Sequence, residues 1–279
     1  MTKDLNLSTM NLNTWCPGCP NFMILAAAKS AVQSLIKKGT RQEDIVISAG
    51  IGCHAKIFDY LNLSGVYGLH GRPIPLALGM KLGNPNLKVL IFAGDGDTYS
   101  EGMSHFINTF RYNPDMTLIV HDNRDFSLTT GQSTPTTQKG YKNKAMPLGE
   151  FNNPINPVKI ALASGAGFVA RCNARDIEHT AKIIDQAISY KGFAFVEIIQ
   201  DCLIFNTDFN NLDNLMYKVK DNKDRLKAEK LASEWDYNTK KGKIPIGLLY
   251  TEKKISLDEK WPQLKDLMKK KIGWKHLKK

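Results

Sequence analysis

The sequence predicts an α/β fold, a doubly wound parallel sheet with a C-terminal extension, and three observations predict it. Apolar segments of strand length recur at residues 45–49, 88–93, 116–121 and 193–199, nearly unbroken, as strands are when both faces of a sheet are covered. Segments with helical spacing of apolar residues fall between them, which is the alternation of parallel strands with crossover helices. The polar, glycine-rich clusters sit just after the strand-like segments, where open α/β sheets take their ligands.

Taken in order, residues 20–38 predict a helix, with Pro20 suited to its first position and Gly39 to its C-terminal cap. A strand over 45–49 runs into Gly50-Ile51-Gly52-Cys53. Residues 74–82 read as helical. The strand over 88–93 ends in Gly94-Asp95-Gly96-Asp97, and a helix over 101–112 follows with an acid at its start. The strand over 116–121 ends at Asp122-Asn123. Residues 124–157 form a loop rich in Thr, Gln, Gly and Asn, and a loop of that length in a compact domain is usually functional. A helix over 158–164, a strand over 167–171, a helix over 176–190 and the strand over 193–199 complete the pattern. After Asn206 the periodicity breaks down and charged stretches surround one apolar island, 244–250. Residues 1–205 are therefore read as one domain and 206–279 as a basic extension that wraps or docks on a partner.

With 42% hydrophobic and 23% charged residues, the composition is that of a soluble globular chain. No apolar run reaches the ~18 residues of a membrane-spanning helix, and residues 1–14 are polar and Asn-rich, without the apolar core of a signal peptide. A cytoplasmic protein without membrane contact is expected. The net charge is +11, and residues 206–279 hold 19 Lys and Arg against 11 Asp and Glu, which places +8 of it there. Charge alone fits nucleic acid, an acidic protein or a solvated Lys-rich face. No basic–aromatic motif accompanies it, so nucleic acid is not expected.

Three constellations carry chemistry. In the first, Gly94-Asp95-Gly96-Asp97 follows one strand and Asn123 follows the next, 28 positions after Asp95. Adjacent strand ends bring a carboxylate and a carboxamide oxygen to one hard cation. Mg²⁺ takes about six oxygens at ~2.1 Å, commonly some from phosphate, and the glycines allow close backbone approach to that phosphate. A bare turn is the plain alternative for G-D-G alone. A dinucleotide fingerprint fails, because its third glycine position is Tyr99, and no P-loop is present.

In the second, Cys16-Pro17-Gly18-Cys19 is joined by Cys53 after the first strand and Cys202 after the last. Four thiolates suit either Zn²⁺ or an iron–sulfur cluster; separate buried thiols are the alternative. An odd count of five cysteines argues against a disulfide framework in a reducing compartment. Cys172 lacks such partners and is read as a bystander. In the third, His54 and Lys56 with His70-Gly71-Arg72 supply cations for a diphosphate or a substrate carboxylate.

Together these residues resemble one family. Trp15-Cys16-Pro17-Gly18-Cys19, Gly50-Ile51-Gly52-Cys53, His70-Gly71-Arg72, Gly94-Asp95-Gly96-Asp97, Asp122-Asn123 and Leu128-Thr129-Thr130-Gly131-Gln132 occur in this order in the β subunits of 2-oxoacid:ferredoxin oxidoreductases. The resemblance spans roughly residues 14–206. It implies a thiamin diphosphate-binding fold in which Asp95 and Asn123 ligate Mg²⁺ by side chains and Asp125 by its backbone carbonyl. It also implies cofactor contacts from Ile51, Gly52, Cys53, His54, His70, Gly94, Gly96, Asp97 and Leu128. Cys16, Cys19, Cys53 and Cys202 would hold a 4Fe–4S cluster, while Lys56, His70, Leu128 and Thr130 would line the catalytic side.

The implied reaction is CoA-dependent oxidative decarboxylation of a 2-oxo acid, pyruvate or 2-oxoglutarate first among them, with electrons passing through the cluster to ferredoxin. Thiamin chemistry needs a carboxylate on the aminopyrimidine nitrogen. Glu43, Glu101 and Glu150 have no motif around them, so that group is expected from a partner α subunit, or α and γ chains, in an αβ or (αβ)₂ assembly.

The chain departs from the family pattern twice. Pro20 stands where Gly is common, as in indolepyruvate oxidoreductases, which keeps that branch as an alternative. Thr130 stands where many relatives carry Lys or Gly, which leaves the preferred 2-oxo acid open. A non-oxidative thiamin decarboxylase or synthase would use the Mg²⁺ motif but not the cysteines.

Overall fold

The structure, a computed structural model, describes residues 6–276. Among them, eight strands form one sheet: β1 (Ile45–Ala49), β2 (Ser64–Tyr67), β3 (Lys88–Gly94), β4 (Met116–Asp122), β5 (Phe168–Asn173), β6 (Phe193–Ile199), β7 (Met216–Lys218) and β8 (Ile244–Thr251). Their order across it is β2-β1-β3-β4-β6-β5-β8-β7. All neighbours run parallel except β5 and β8, which are antiparallel. The connections carry α1 (Asn21–Lys37), α2 (Ile57–Tyr60), α3 (Pro73–Gly83), α4 (Met103–Tyr112), α5 (Pro157–Ala163), α6 (Ile177–Ser189) and α7 (Arg225–Ser233).

Successive side chains of a strand point to opposite faces, and here each face meets helices. Ile45 and Ile47 of β1 and Leu90 and Phe92 of β3 join a core with Ile24 and Val32 of α1 and Ile184 of α6. Val46, Val89 and Ile91 join a second core with Ala77 of α3, Phe106 and Phe110 of α4, and Leu162 of α5. Both layers are apolar, which is why these strands read as unbroken hydrophobic runs.

Three strands differ from the sequence reading. β2 is exposed along its whole length, so it carries no alternation to read. Gly65 is required in it, because a Cβ there would lie 2.1 Å from the Ile47 carbonyl oxygen. The apolar island near 244–250 is β8, paired with β5 on one side and β7 on the other. Met216–Lys218 and Ile244–Thr251, in the stretch set apart in the sequence as an extension, thus share one sheet with the strands before residue 206. Their partner strand lies some 75 residues earlier, and such a non-local pairing leaves no local signature.

A buried charge network fastens this junction. Arg171 and Glu197 stand opposite each other on β5 and β6, both fully buried, with Arg171 Nε 2.7 Å from Glu197 Oε2. Tyr237, also buried, donates its hydroxyl to Glu197 at 2.7 Å and accepts from Arg171 Nη2 at 2.5 Å. Removing one member of a buried pair leaves an uncompensated charge, at a cost of about 3–5 kcal/mol. Glu197→Ala is therefore expected to lower the urea midpoint strongly, and Tyr237→Phe less so. A Glu197→Ala chain unfolding within about 1 kcal/mol of the unsubstituted one would remove the network from any role in stability.

Candidate active site

Four neighbouring parallel strands, β1, β3, β4 and β6, end on the same edge of the sheet. Registers of Ala49 with Phe92, Gly94 with His121, and Asp122 with Ile199 align their last residues. The loops that follow therefore converge, though they are far apart in sequence. β1 delivers Ile51, Gly52, Cys53 and His54, and β3 delivers Gly94, Asp95, Gly96 and Asp97. β4 delivers Asn123, Asp125 and Leu128, and the segment before α3 delivers His70. All of these line one cleft. His121, Phe126, Ser127, Thr129 and Gln200 line it too; Thr129 stood in the Leu128–Gln132 motif without a role, the others in no motif, and only the strand-end position of His121 and Gln200 could have pointed to those two.

The backbone turns helical at Asp95, directly off β3, rather than at Glu101, and Asp97–Glu101 forms a π-helical turn before α4. Widened turns of this kind are frequent at functional sites. Gly96 allows the turn, since a Cβ there would sit 2.2 Å from the Phe126 ring. Asp97 ties three loops together. Its Oδ1 accepts from Gly71 N at 2.6 Å, and its Oδ2 lies 3.4 Å from His54 Nε2. His70 Nδ1 lies 2.9 Å from Glu101 Oε2, and Arg72 Nη1 donates to the carbonyls of Gly71 and Glu101, at 3.1 Å each. Arg72 thus braces the loop instead of lining the cleft.

The cleft floor is rich in carboxylates. Asp95 Oδ2 is 3.0 Å from Thr136 Oγ1, which is also 2.9 Å from Asp122 Oδ1. Burial pushes the Asp95 carboxyl up to about 7, and it raises Asp122 and Asp125 as well. A carboxyl raised by burial keeps its proton until a cation offsets the charge. Arg124 is buried beside them, but its guanidinium donates away, to Phe209 O at 2.7 Å. Asp97 Oδ2, Asp125 Oδ2 and Gln200 Oε1 are buried without a hydrogen-bond partner. Asn123 Oδ1 faces the Asp125 N–H at 3.2 Å, and its Nδ2 donates to Ser127 Oγ at 2.6 Å, which orients the carboxamide oxygen. Oxygen donors from Asp95, Asn123 and the Asp125 backbone suit a hard divalent cation.

A second cavity abuts the first and shares Cys53, Asn123, Ser127 and Gln200 with it. Cys16, Cys19, Cys53 and Cys202 all line it, with Lys56. The C-x-x-C segment closes a turn in which Cys19 N donates to Cys16 O at 3.0 Å. Trp15 Nε1 donates to Cys53 O at 2.6 Å and Asn210 Nδ2 to Cys202 O at 2.8 Å, so a hydrogen bond engages the backbone of each of the four cysteines. Burial pushes the Cys53 thiol up to about 12 and raises Cys19 and Cys202, as in any metal-free thiol cavity. Among the described residues no three His, Cys, Asp or Glu side chains converge on a single-ion site. A lone Zn²⁺ needs its sulfurs ~2.3 Å from one point, whereas a cluster holds them around a larger body. Cys172 is buried in β5 within the core, apart from the cavity. Lys56 donates to Thr14 O at 3.1 Å. Thr130 is exposed and left-handed at φ 80°, beyond the lining of both cavities.

The sequence matches the family described as "Thiamine pyrophosphate enzyme, C-terminal TPP binding domain" over residues 50–198, the span from the loop after β1 to the end of β6. It is 38% identical to the 2-oxoacid:ferredoxin oxidoreductase subunit beta of Saccharolobus solfataricus, over 88% of this chain and 84% of that one. This chain belongs to the β-subunit family of the 2-oxoacid:ferredoxin oxidoreductases. Another family member, the 2-oxoglutarate synthase subunit KorB of Archaeoglobus fulgidus, is 40% identical over 67% of this chain and 69% of its own length. The fold is similar to that of the 2-oxoglutarate:ferredoxin oxidoreductase from Magnetococcus marinus, solved with 2-oxoglutarate, coenzyme A and succinyl-CoA bound, with a TM-score of 0.86 and 31% identity over 94% of this chain and 89% of that one. No helix among the described residues is long and apolar enough to cross a membrane.

Proposed function

We propose that this β subunit is half of an active site that oxidatively decarboxylates a 2-oxo acid, passes the acyl group to coenzyme A, and passes electrons through a 4Fe–4S cluster to ferredoxin. The observation that carries the reading is the pair of abutting cavities that share Cys53, one lined by carboxylates and glycines, the other by four cysteines. Asp95, Asn123 and the Asp125 carbonyl would hold Mg²⁺ on the diphosphate of thiamin diphosphate, and Cys16, Cys19, Cys53 and Cys202 would hold the cluster. Bound thiamin diphosphate supplies the electron sink for loss of CO₂.

The chain's own residues position these groups. Asp97 holds the loops after β1 and β2 against β3, and the glycines let the backbone approach a phosphate. The cysteine cavity stands beside the cleft, so electrons have a short path. The basic stretch 206–279 suits an acidic partner such as ferredoxin. A non-oxidative decarboxylase would leave the cysteine cavity without a purpose. The names of the relatives favour 2-oxoglutarate among the substrates. Coenzyme A-dependent dye reduction by the purified complex, assayed with 2-oxoglutarate, pyruvate, branched-chain 2-oxo acids and indolepyruvate, decides between them.

Among the described residues no glutamate lines either cavity. Glu101 is engaged with His70, Glu150 with Asn152, and Glu197 lies in the core network. On this reading the carboxylate that activates the aminopyrimidine comes from the α subunit. Isolated β chain, loaded with thiamin diphosphate and Mg²⁺, is expected to show almost no exchange of the thiazolium proton, and added α subunit is expected to restore it. Exchange by the isolated chain at the rate of the complex would refute the shared site.

A further inference from the structure

Asn21 opens α1 two residues after Cys19, and its side chain is 1% exposed. It lines the cysteine cavity, while His121 lines the cofactor cleft. Asn21 Oδ1 lies 2.8 Å from His121 Nδ1. A carbonyl oxygen only accepts, so with Asn21 Oδ1 in this contact the ring is the donor, through Nδ1. The amide is locked in turn, with its NH₂ turned away from the ring.

That NH₂ is buried, and Nδ2 has no partner at hydrogen-bond geometry. A buried donor without an acceptor is costly, and the wall of this cavity offers it four cysteine sulfurs. The flipped amide would present its oxygen to the cysteine sulfurs, which carry negative charge when they ligate a cluster and would repel it. The Asn21 side chain lies beside the Cys19 thiol but outside hydrogen-bond geometry.

We propose that Asn21 is a positioning residue for electron transfer: its amide, locked by His121, donates to the sulfur shell of the cluster and raises its reduction potential. This rests on the cluster reading of the four cysteines. Reduction adds negative charge to the sulfur-ligated centre, and an N–H donor stabilises the reduced form more than the oxidised one, which is how hydrogen bonds to sulfur set such potentials. Because His121 also lines the cofactor cleft, the same hydrogen bond links the walls of the two cavities.

The test is an EPR-monitored redox titration of the complex with its α subunit, purified anaerobically, with iron determined on the same samples. Asn21→Leu keeps the side-chain size and removes the donor. It is expected to retain iron and to shift the reduced-to-oxidised ratio about tenfold towards oxidised, a midpoint ~59 mV lower for one electron. Asn21→Asp, which adds negative charge, is expected to fall further, and Asn21→Ser, which keeps a smaller donor, to lie between Leu and the unsubstituted protein. An unchanged midpoint in iron-replete Asn21→Leu overturns the proposal. If the leucine variant does not fold, equal midpoints for Asn21→Ser and Asn21→Asp overturn it. Absence of iron from the unsubstituted complex overturns the cluster reading instead, and is seen before any variant is compared.

Discussion

Asp95→Ala is expected to strip the complex of thiamin diphosphate and Mg²⁺ while the fold survives. Asp95 is the one acidic side chain among the three expected cation ligands, and it is 2% exposed at the end of a central strand. Outer-shell substitutions already weaken metal sites about 10–100-fold, so loss of a charged ligand is expected to exceed ~100-fold in Mg²⁺ affinity, with activity falling in step. Asn123→Ala removes a neutral ligand and is expected to cost less, partly recoverable with excess Mg²⁺. Cofactor content after gel filtration and the Mg²⁺ dependence of turnover measure both. An Asp95→Ala complex with stoichiometric cofactor and normal activity would show the Mg²⁺ assignment to be wrong.

The metal-free chain supplies an independent check with the opposite sign. Burial raises the Asp95 carboxyl to about 7, above its unfolded value of ~3.9. The folded state therefore binds the proton more tightly, and this contribution to stability is full below pH ~4 and lost as pH rises through about 7. Asp95→Asn is expected to flatten that part of the pH profile in EDTA, so at pH 8 the apo variant should melt no lower than the apo parent. A variant markedly less stable at pH 8 would mean that the carboxylate has a partner other than the cation.

Replacement of any one of Cys16, Cys19, Cys53 and Cys202 by Ser is expected to cost iron, visible absorption and ferredoxin-linked activity. Cys172→Ser is expected to cost none of these. The four line one cavity, whereas Cys172 faces Thr180 and the α6 side of the core. Iron analysis and EPR of anaerobically purified complex discriminate the two sets. One zinc and no iron in fresh protein would leave the fold intact but remove the electron path, and with it the oxidative reaction.

The strands that build the cleft were legible because β1, β3, β4 and β6 lie inside the sheet and are covered on both faces, which forces an apolar residue at nearly every position. Asp95, Asn123, Cys53 and Cys202 were legible because each sits just past such a strand, and Cys16 and Cys19 because the C-x-x-C spacing is local. The partners that tune them were not. Thr136 reaches Asp95 from a loop 41 positions later, Asn21 reaches His121 across 100 positions, and Glu197 looked like one polar residue in an apolar run until Arg171 and Tyr237 were found against it.

By itself, the sequence determined the α/β class, the strand ends that carry polar groups and the residue types offered there, because a covered strand and a glycine turn leave marks within a few neighbouring residues. Only the tertiary structure decided that residues 216–251 belong to the same sheet, that the two cavities meet at Cys53, and that no glutamate enters the cleft. Those facts depend on strand order, on register and on which buried donor finds which acceptor. Contacts between segments tens of residues apart are selected by the packing of the whole chain and leave no periodic trace in any one part of it.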